Sequence, residues 1–389
     1  MNKSDSETFV YNQTITVTYN YKVYFSEGIF DLSNTLLKDV LASDSELPAS
    51  KVLFLIEQNV ADARKDLCDE VTAYAERYKD HINMTSAPEI IPGGECLKSR
   101  DAISGLCALM AENALCRQSF VVSVGGGAFL DTAGFAASIV HRGIRQVRVP
   151  TTVLAQNDSG VGVKTAVNMH GIKNFLGTFA PPYAVLNDYG LLETLPLRDW
   201  VAGASEAFKV AMIKDAEFFS WLSENTGKIV SRDKSTMKYL IKRCAELHLE
   251  HIATSGDPFE FGSARPLDFG HWAAHKLEML TDGEVRHGEA VAVGLIIDTF
   301  YAVKMDLVEE SVLNTLVTSF SELGLPLFHK KLLPDTHGNY ALLDGIEEFR
   351  EHLGGKLHIT LPDGLGKKIE VNYLDENIIK QAIDFLSTL

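Results

Sequence analysis

Ser119–Val124 (SFVVSV) runs without a break into three consecutive glycines, Gly125, Gly126 and Gly127. A short, almost uninterrupted apolar run fits a strand covered on both faces, which is the strand of a parallel sheet. Glycines at its C-terminal end let the chain turn sharply and let backbone amides approach an anion with no Cβ in the way. The next predicted element is a small-residue helix over Asp131–Ile139, whose N-terminus adds a partial positive field. On this reading Asp131 falls in the helix's first turn. The triple glycine is not the GxGxxG fingerprint of the standard dinucleotide fold, and a tight strand-to-helix turn alone would also explain it.

The surrounding segments alternate in the same way. Lys51–Ile56 and Gln146–Val149 read as buried strands, and Ala61–Tyr78 and Arg100–Ala111 as helices. This alternation predicts an α/β, Rossmann-like parallel sheet over residues 1–190. From about Leu191 helical spacing takes over: Ala202–Lys214, Lys234–Ala253, Gly270–Leu280, His287–Val303, Glu309–Leu323 and Asp375–Leu386. Residues 191–389 are therefore expected to form an α-helical domain. It is interrupted only by a hairpin of Ile359–Leu361 and Lys368–Val371 around Pro362-Asp363-Gly364.

A chain of 389 residues can bury two cores. Its net charge of −16 argues against nucleic acid or an anionic membrane as partner. Five scattered cysteines with no CxxC pair suit a reducing compartment. No apolar stretch is long enough to span a bilayer and the polar start shows no signal peptide, so a cytoplasmic location is expected.

Two groups of residues carry chemistry. His271 and His275 lie four apart on one predicted helix and so share a face. With His287 and Glu206 they offer an open N/O site for Zn²⁺ or a similar divalent ion, although histidines capping a helical core would look the same. Asp158–Asn174 (DSGVGVKTAVNMHGIKN) combines Gly160 and Gly162 with Lys164, Lys173 and Asn174 in what reads as a loop. Flexible backbone and cationic donors suit a phosphate or polyol. Arg142 and Arg265 could add guanidinium contacts. Glu57, with Asn59 beyond it, ends a strand where a ribose would be held, although taken alone it reads better as a helix N-cap, and Glu95 and Lys98 follow the Gly93-Gly94 turn nearby.

In order along the chain, these residues resemble the dehydroquinate synthase family of sugar phosphate cyclases. The resemblance rests on Gly125-Gly126-Gly127…Asp131…Gly134-Phe135-Ala136-Ala137, on Val149-Pro150-Thr151-Thr152 with Asp158-Ser159, and on Lys164-Thr165-Ala166-Val167-Asn168. Lys173-Asn174, Ser205-Glu206-Ala207-Phe208-Lys209, Gly270-His271…His275 and His287-Gly288-Glu289-Ala290 complete the set. It implies one NAD and one metal, with Zn²⁺ expected and Co²⁺ possible. Glu206, His271 and His287 would be the ligands, and His275 a contact to the leaving phosphate. Lys164, Asn174 and Lys209 would touch substrate oxygens, with Asp158 near the nicotinamide. Glu57, Asn59, Glu95, Lys98, Thr151 and Thr152 fall where the family holds NAD. Arg142 resembles an arginine that reaches the phosphate of the partner subunit, which implies a homodimer. The implied reaction is transient oxidation by NAD, β-elimination of phosphate, return of the hydride, ring opening and an aldol closure to a carbocycle.

Several substrate-facing positions depart from dehydroquinate synthase. The Asn expected three residues before the metal histidine is Asp268, a lysine is replaced by His248, and an expected arginine is Ala264 with Arg265 beside it. Arg350 or His352 stand where a lysine pair is usual. An anionic Asp268 repels a substrate carboxylate but accepts hydrogen bonds from hydroxyls. The expected substrate is therefore a sugar phosphate without a carboxylate, such as sedoheptulose 7-phosphate. Retention of His275, where several sedoheptulose-type cyclases have Pro, is similar to the 2-epi-valiolone synthase type. The competing readings are 3-dehydroquinate synthase itself, a metal-dependent NAD polyol dehydrogenase, and a non-catalytic sugar-phosphate or nucleotide-binding homologue.

Overall fold

The computed structural model describes residues 9–42, 49–170, 172–255, 257, 259, 266–352 and 355–389. Ala264, Arg265 and the side chain of His352 lie outside this description. The strands are β1 (Lys22–Ser26), β2 (Ser50–Glu57), β3 (Ile82–Met84), β4 (Glu89–Ile91), β5 (Phe120–Gly125), β6 (Arg145–Pro150), β7 (Lys164–Met169), β8 (Ile172–Phe179), β9 (Ala184–Asp188), β10 (Ile359–Pro362) and β11 (Lys368–Val371).

Seven strands form one parallel sheet in the order β1-β9-β6-β5-β2-β3, with β4 also pairing β2. The apolar runs of β2 and β5 are buried throughout because the sheet is covered on both sides. One face packs Val52, Phe54, Val122 and Val147, and the other packs Leu53, Leu55, Val121 and Phe129. Beyond Asp188 the regular elements among the described residues are helices apart from the β10–β11 hairpin, and a separate core gathers around Phe208, Trp272, Leu295 and Phe320.

Three expectations need correction. The helix after the glycines begins at Gly127 and runs to Ile139, so Asp131 lies in its second turn. The tri-glycine turn is shorter than expected because Gly127 is itself helical, with Leu130 N–H donating to Gly126 O at 2.9 Å. Secondly, Ala61–Tyr78 is two helices, Gln58–Ala63 and Leu67–Arg77. Arg64 leaves the helical conformation between them and pairs with Glu70 at 2.7 Å. Thirdly, Asp158–Asn174 is not a loop. It begins in the last residues of a π-helical turn, Ala155–Ser159, and runs into the antiparallel β7–β8 hairpin. Thr165 and Val167 alternate inward while Lys164 stays exposed, a period-two pattern hidden by the glycines around it.

Candidate active site

A cleft of about 780 Å³ opens beyond the C-terminal edge of the sheet, between the β7–β8 hairpin and the helical half. That edge is where open parallel sheets hold ligands. Gly126 and Gly127 line it with Thr152, and the Glu57 carboxylate accepts from Gly126 N–H at 2.6 Å. An added Cβ at Gly127 would sit 2.6 Å from Ser159 Oγ, so a side chain here would have to displace that hydroxyl. Deeper in, Lys98 Nζ lies 2.7 Å from Asp131 Oδ2 and donates to Asn174 Oδ1 at 2.8 Å. Burial works against the Lys98 charge, but Asp131 and Glu95 outweigh it and raise its pKa. Thr151 is buried just behind, its N–H donating to Gly125 O at 3.0 Å. These groups form the wall that could hold a dinucleotide.

The opposite wall carries a metal-binding constellation. Glu206 comes from the Ala204–Lys214 helix, His271 opens the His271–Leu280 helix and His287 opens the His287–Lys304 helix. Their ligand atoms all lie within 4.8 Å of one another. His287 Nε2 is 3.3 Å and His271 Nε2 3.7 Å from Glu206 Oε1. Both Glu206 oxygens are buried without a well-formed hydrogen bond, although Lys209 Nζ stands 2.5 Å from Oε2. A fully buried carboxylate facing two imidazoles fits a divalent cation, and the mixed N/O set suits Zn²⁺ or its neighbours. Burial opposes the Glu206 charge, yet Lys209 holds its pKa down to about 2. Burial, then Lys209, lowers that of His271, leaving the neutral imidazole a ligand requires.

His275 lies one turn beyond His271, its ring 5.4 Å from that of His271 and 5.8 Å from that of His287. Burial, followed by the two neighbouring histidines, pushes its pKa down to about 3. Two residues join the walls. Asp158, in the π-helical turn, lies 2.8 Å from His248 Nδ1 and 3.5 Å from Lys209 Nζ. Burial opposes its charge, but Lys209 and His248 keep it well below the usual carboxylate range. Asp268 also lines the cleft, beside His271.

Lys164, Lys173, Asn174, Lys209, Asp158, His248, Asp268, His275 and the potential ligands His271 and His287 all line one cleft, with Glu57, Glu95, Lys98, Asp131 and Thr152 at its other end; Glu206 is fully buried behind the two imidazoles. Asn59 is exposed on the Gln58–Ala63 helix and Arg142 is exposed on its own turn; neither lines the cleft of its own chain. Arg350 pairs with Glu347 at 3.2 Å and also lies off the cleft. Lys173 is not a bare cation: it sits 2.8 Å from Glu278 and 3.7 Å from Glu95.

Glu278 and Arg148 escaped the sequence reading. Glu278 follows His271 and His275 at i+7 and i+3, a helical signal that was there to be used. Arg148 is fully buried, and its guanidinium donates to Gly160 O at 3.2 Å and Gly162 O at 2.8 Å. It thereby shapes the turn that delivers Lys164.

Residues 89–202 match the family model of the 3-dehydroquinate synthase N-terminal region, and residues 203–345 that of the C-terminal region. The chain belongs to the 3-dehydroquinate synthase family of sugar phosphate cyclases. It is 34% identical over 362 residues to the 3-dehydroquinate synthase of Alkaliphilus metalliredigens, covering 92% of this chain and 94% of that one. Among solved structures it resembles ValA, the 2-epi-5-epi-valiolone synthase of Streptomyces hygroscopicus subsp. jinggangensis, with NAD⁺ and Zn²⁺ bound. That match has a TM-score of 0.87 at 27% identity, over 97% of this chain and 99% of ValA. A 2-deoxy-scyllo-inosose synthase shares the fold, with a TM-score of 0.73 at 24% identity over 93% and 95% of the two chains.

Proposed function

We propose that this family member cyclises sedoheptulose 7-phosphate to a carbocycle with loss of phosphate, using one NAD and one divalent metal, Zn²⁺ before Co²⁺. The observation that carries the substrate choice is the acidic lining near His271. Asp268 faces the cleft, and Asp158 occupies the Nδ1 side of His248, so the positions departing from dehydroquinate synthase present one carboxylate and one bridged imidazole. A substrate carboxylate there would meet like charge, while a neutral polyol would meet acceptors for its hydroxyls.

Residues 1–190 supply the NAD wall through Glu57, the Gly126 and Gly127 amides, Lys98 and Asp131. Residues 191–389 supply Glu206, His271 and His287. The metal, when bound, supplies Lewis-acid polarisation of a substrate alcohol, and NAD supplies the hydride acceptor that is regenerated. Lys209 sits between Glu206 and Asp158, where it can donate to a substrate oxygen. His275, held neutral, can donate one hydrogen bond to the departing phosphate. The proposal includes a cytoplasmic homodimer, with Arg142 of one protomer serving the other's cleft. The second reading is 3-dehydroquinate synthase itself, favoured by the name of the Alkaliphilus relative.

The test is incubation of the chain with NAD⁺, Zn²⁺ and sedoheptulose 7-phosphate, following phosphate release and NADH absorbance together. Stoichiometric phosphate with no net NADH supports a cyclase. Accumulating NADH would make it a polyol dehydrogenase instead.

A further inference from the structure

Glu278 sits at the hub of contacts that no cofactor or substrate role explains. It shares a helix face with His271 and His275 and its side chain is only 8% exposed. Its Oε2 lies 3.0 Å from His287 Nδ1, and its Oε1 accepts from Lys173 Nζ at 2.8 Å. His287 thus has its two ring nitrogens pointed at two different carboxylates, Nδ1 at Glu278 and Nε2 at Glu206. Lys173 belongs to β8 on the far wall, so the chain Lys173–Glu278–His287 crosses the cleft.

We propose that Glu278 is a positioning residue: it fixes which nitrogen of His287 faces Glu206 and His271, and through Lys173 it ties that orientation to the β7–β8 hairpin. The physical reason is tautomer control. An imidazole free to turn about its Cβ–Cγ bond can present either nitrogen, whereas a carboxylate on Nδ1 leaves only Nε2 to bind a cation. Because Lys173 occupies the other oxygen, the Glu278 carboxylate cannot swing aside. His275, Glu278 and His287 also lie close enough to form a second ligand set. The ion pair with Lys173 already compensates the charge of Glu278, which favours support over ligation.

The experiment is Co²⁺ binding to the metal-free full-length chain, read by visible absorption and chelator competition, for wild type, Glu278→Gln and Lys173→Met. One Co²⁺ per chain is expected throughout, with affinity reduced by about 10–100-fold in Glu278→Gln, the range for lost outer-shell partners. A smaller loss is expected in Lys173→Met, which also carries the test should Glu278→Gln fail to fold. Unchanged affinity in the folded variants overturns the inference, and so does a fall from two Co²⁺ to one in Glu278→Gln. The inference rests on the metal half of the proposed function. Wild type that binds no Co²⁺ sinks that reading, whereas wild-type binding with unaltered variants sinks only the role of Glu278.

Discussion

Glu206 has a full charge and no solvent, and its nearest cation is Lys209 at 2.5 Å. Replacing it with Gln keeps the shape but removes the anionic ligand. Metal affinity should then fall by more than about 100-fold, beyond the usual outer-shell effect, as read by chelator competition. His287 gives a pH prediction for the metal-free protein. Burial opposes its charge, but Glu278 and Glu206 outweigh it and raise its pKa from 6.5 to about 10. A raised pKa means that its contribution to stability is complete below pH 6.5 and is lost as pH climbs through about 10. A cation binding at Nε2 must displace that proton. Apparent metal affinity should therefore rise between pH 7 and pH 9, and a flat profile would remove His287 from the ligand set. Asp268→Asn should relieve repulsion of a carboxylate, lowering KM for the seven-carbon keto-acid phosphate used by dehydroquinate synthase by about tenfold or more. Steady-state kinetics on both substrates checks this.

The elements that hold the ligands are locked by close backbone approach. Gly270, at φ +77°, precedes the His271–Leu280 helix, and a Cβ added at Gly294 would lie 2.0 Å from Gly270 O. Gly294→Ala must push the His287 helix away from the His271 helix. The expected loss is about 1–3 kcal/mol of stability, typical of overpacking, seen as a lower unfolding midpoint together with weaker metal binding. Such elements were legible to different degrees. Lys51–Ile56, Ser119–Val124, Lys234–Ala253 and His287–Val303 came within a residue or two because their apolar runs or helical periods are long and uninterrupted. The β7–β8 hairpin was hidden, since Gly, Lys and Asn on its exposed side imitate a loop. Asp131 moved a turn because backbone hydrogen bonding, not side-chain pattern, starts its helix. The grouping of Glu206, His271 and His287 was anticipated by the family motifs. Glu278 was not, because one acid on an amphipathic helix looks like solvated surface until its partners are known.

At the scale of the whole molecule, an acidic chain of net charge −16 must concentrate cations where it meets a phosphate. It does so by bringing Lys164, Lys173 and Lys209 from the hairpin and the helical half to one cleft, while Glu278, Glu206 and Asp158 temper two of them. On the proposed function, phosphate affinity is built locally and set against the overall field, so the choice of substrate turns on Asp268 and His248 at the sugar's other end. The fold does not decide it, because the chain shares its architecture with synthases named for different products. The direct measurement is kcat/KM for phosphate release from sedoheptulose 7-phosphate and from the seven-carbon keto-acid phosphate, with NAD⁺ and Zn²⁺ saturating. The account predicts efficient turnover of the first and little or none of the second. Preference for the keto acid would contradict it and make this chain a 3-dehydroquinate synthase.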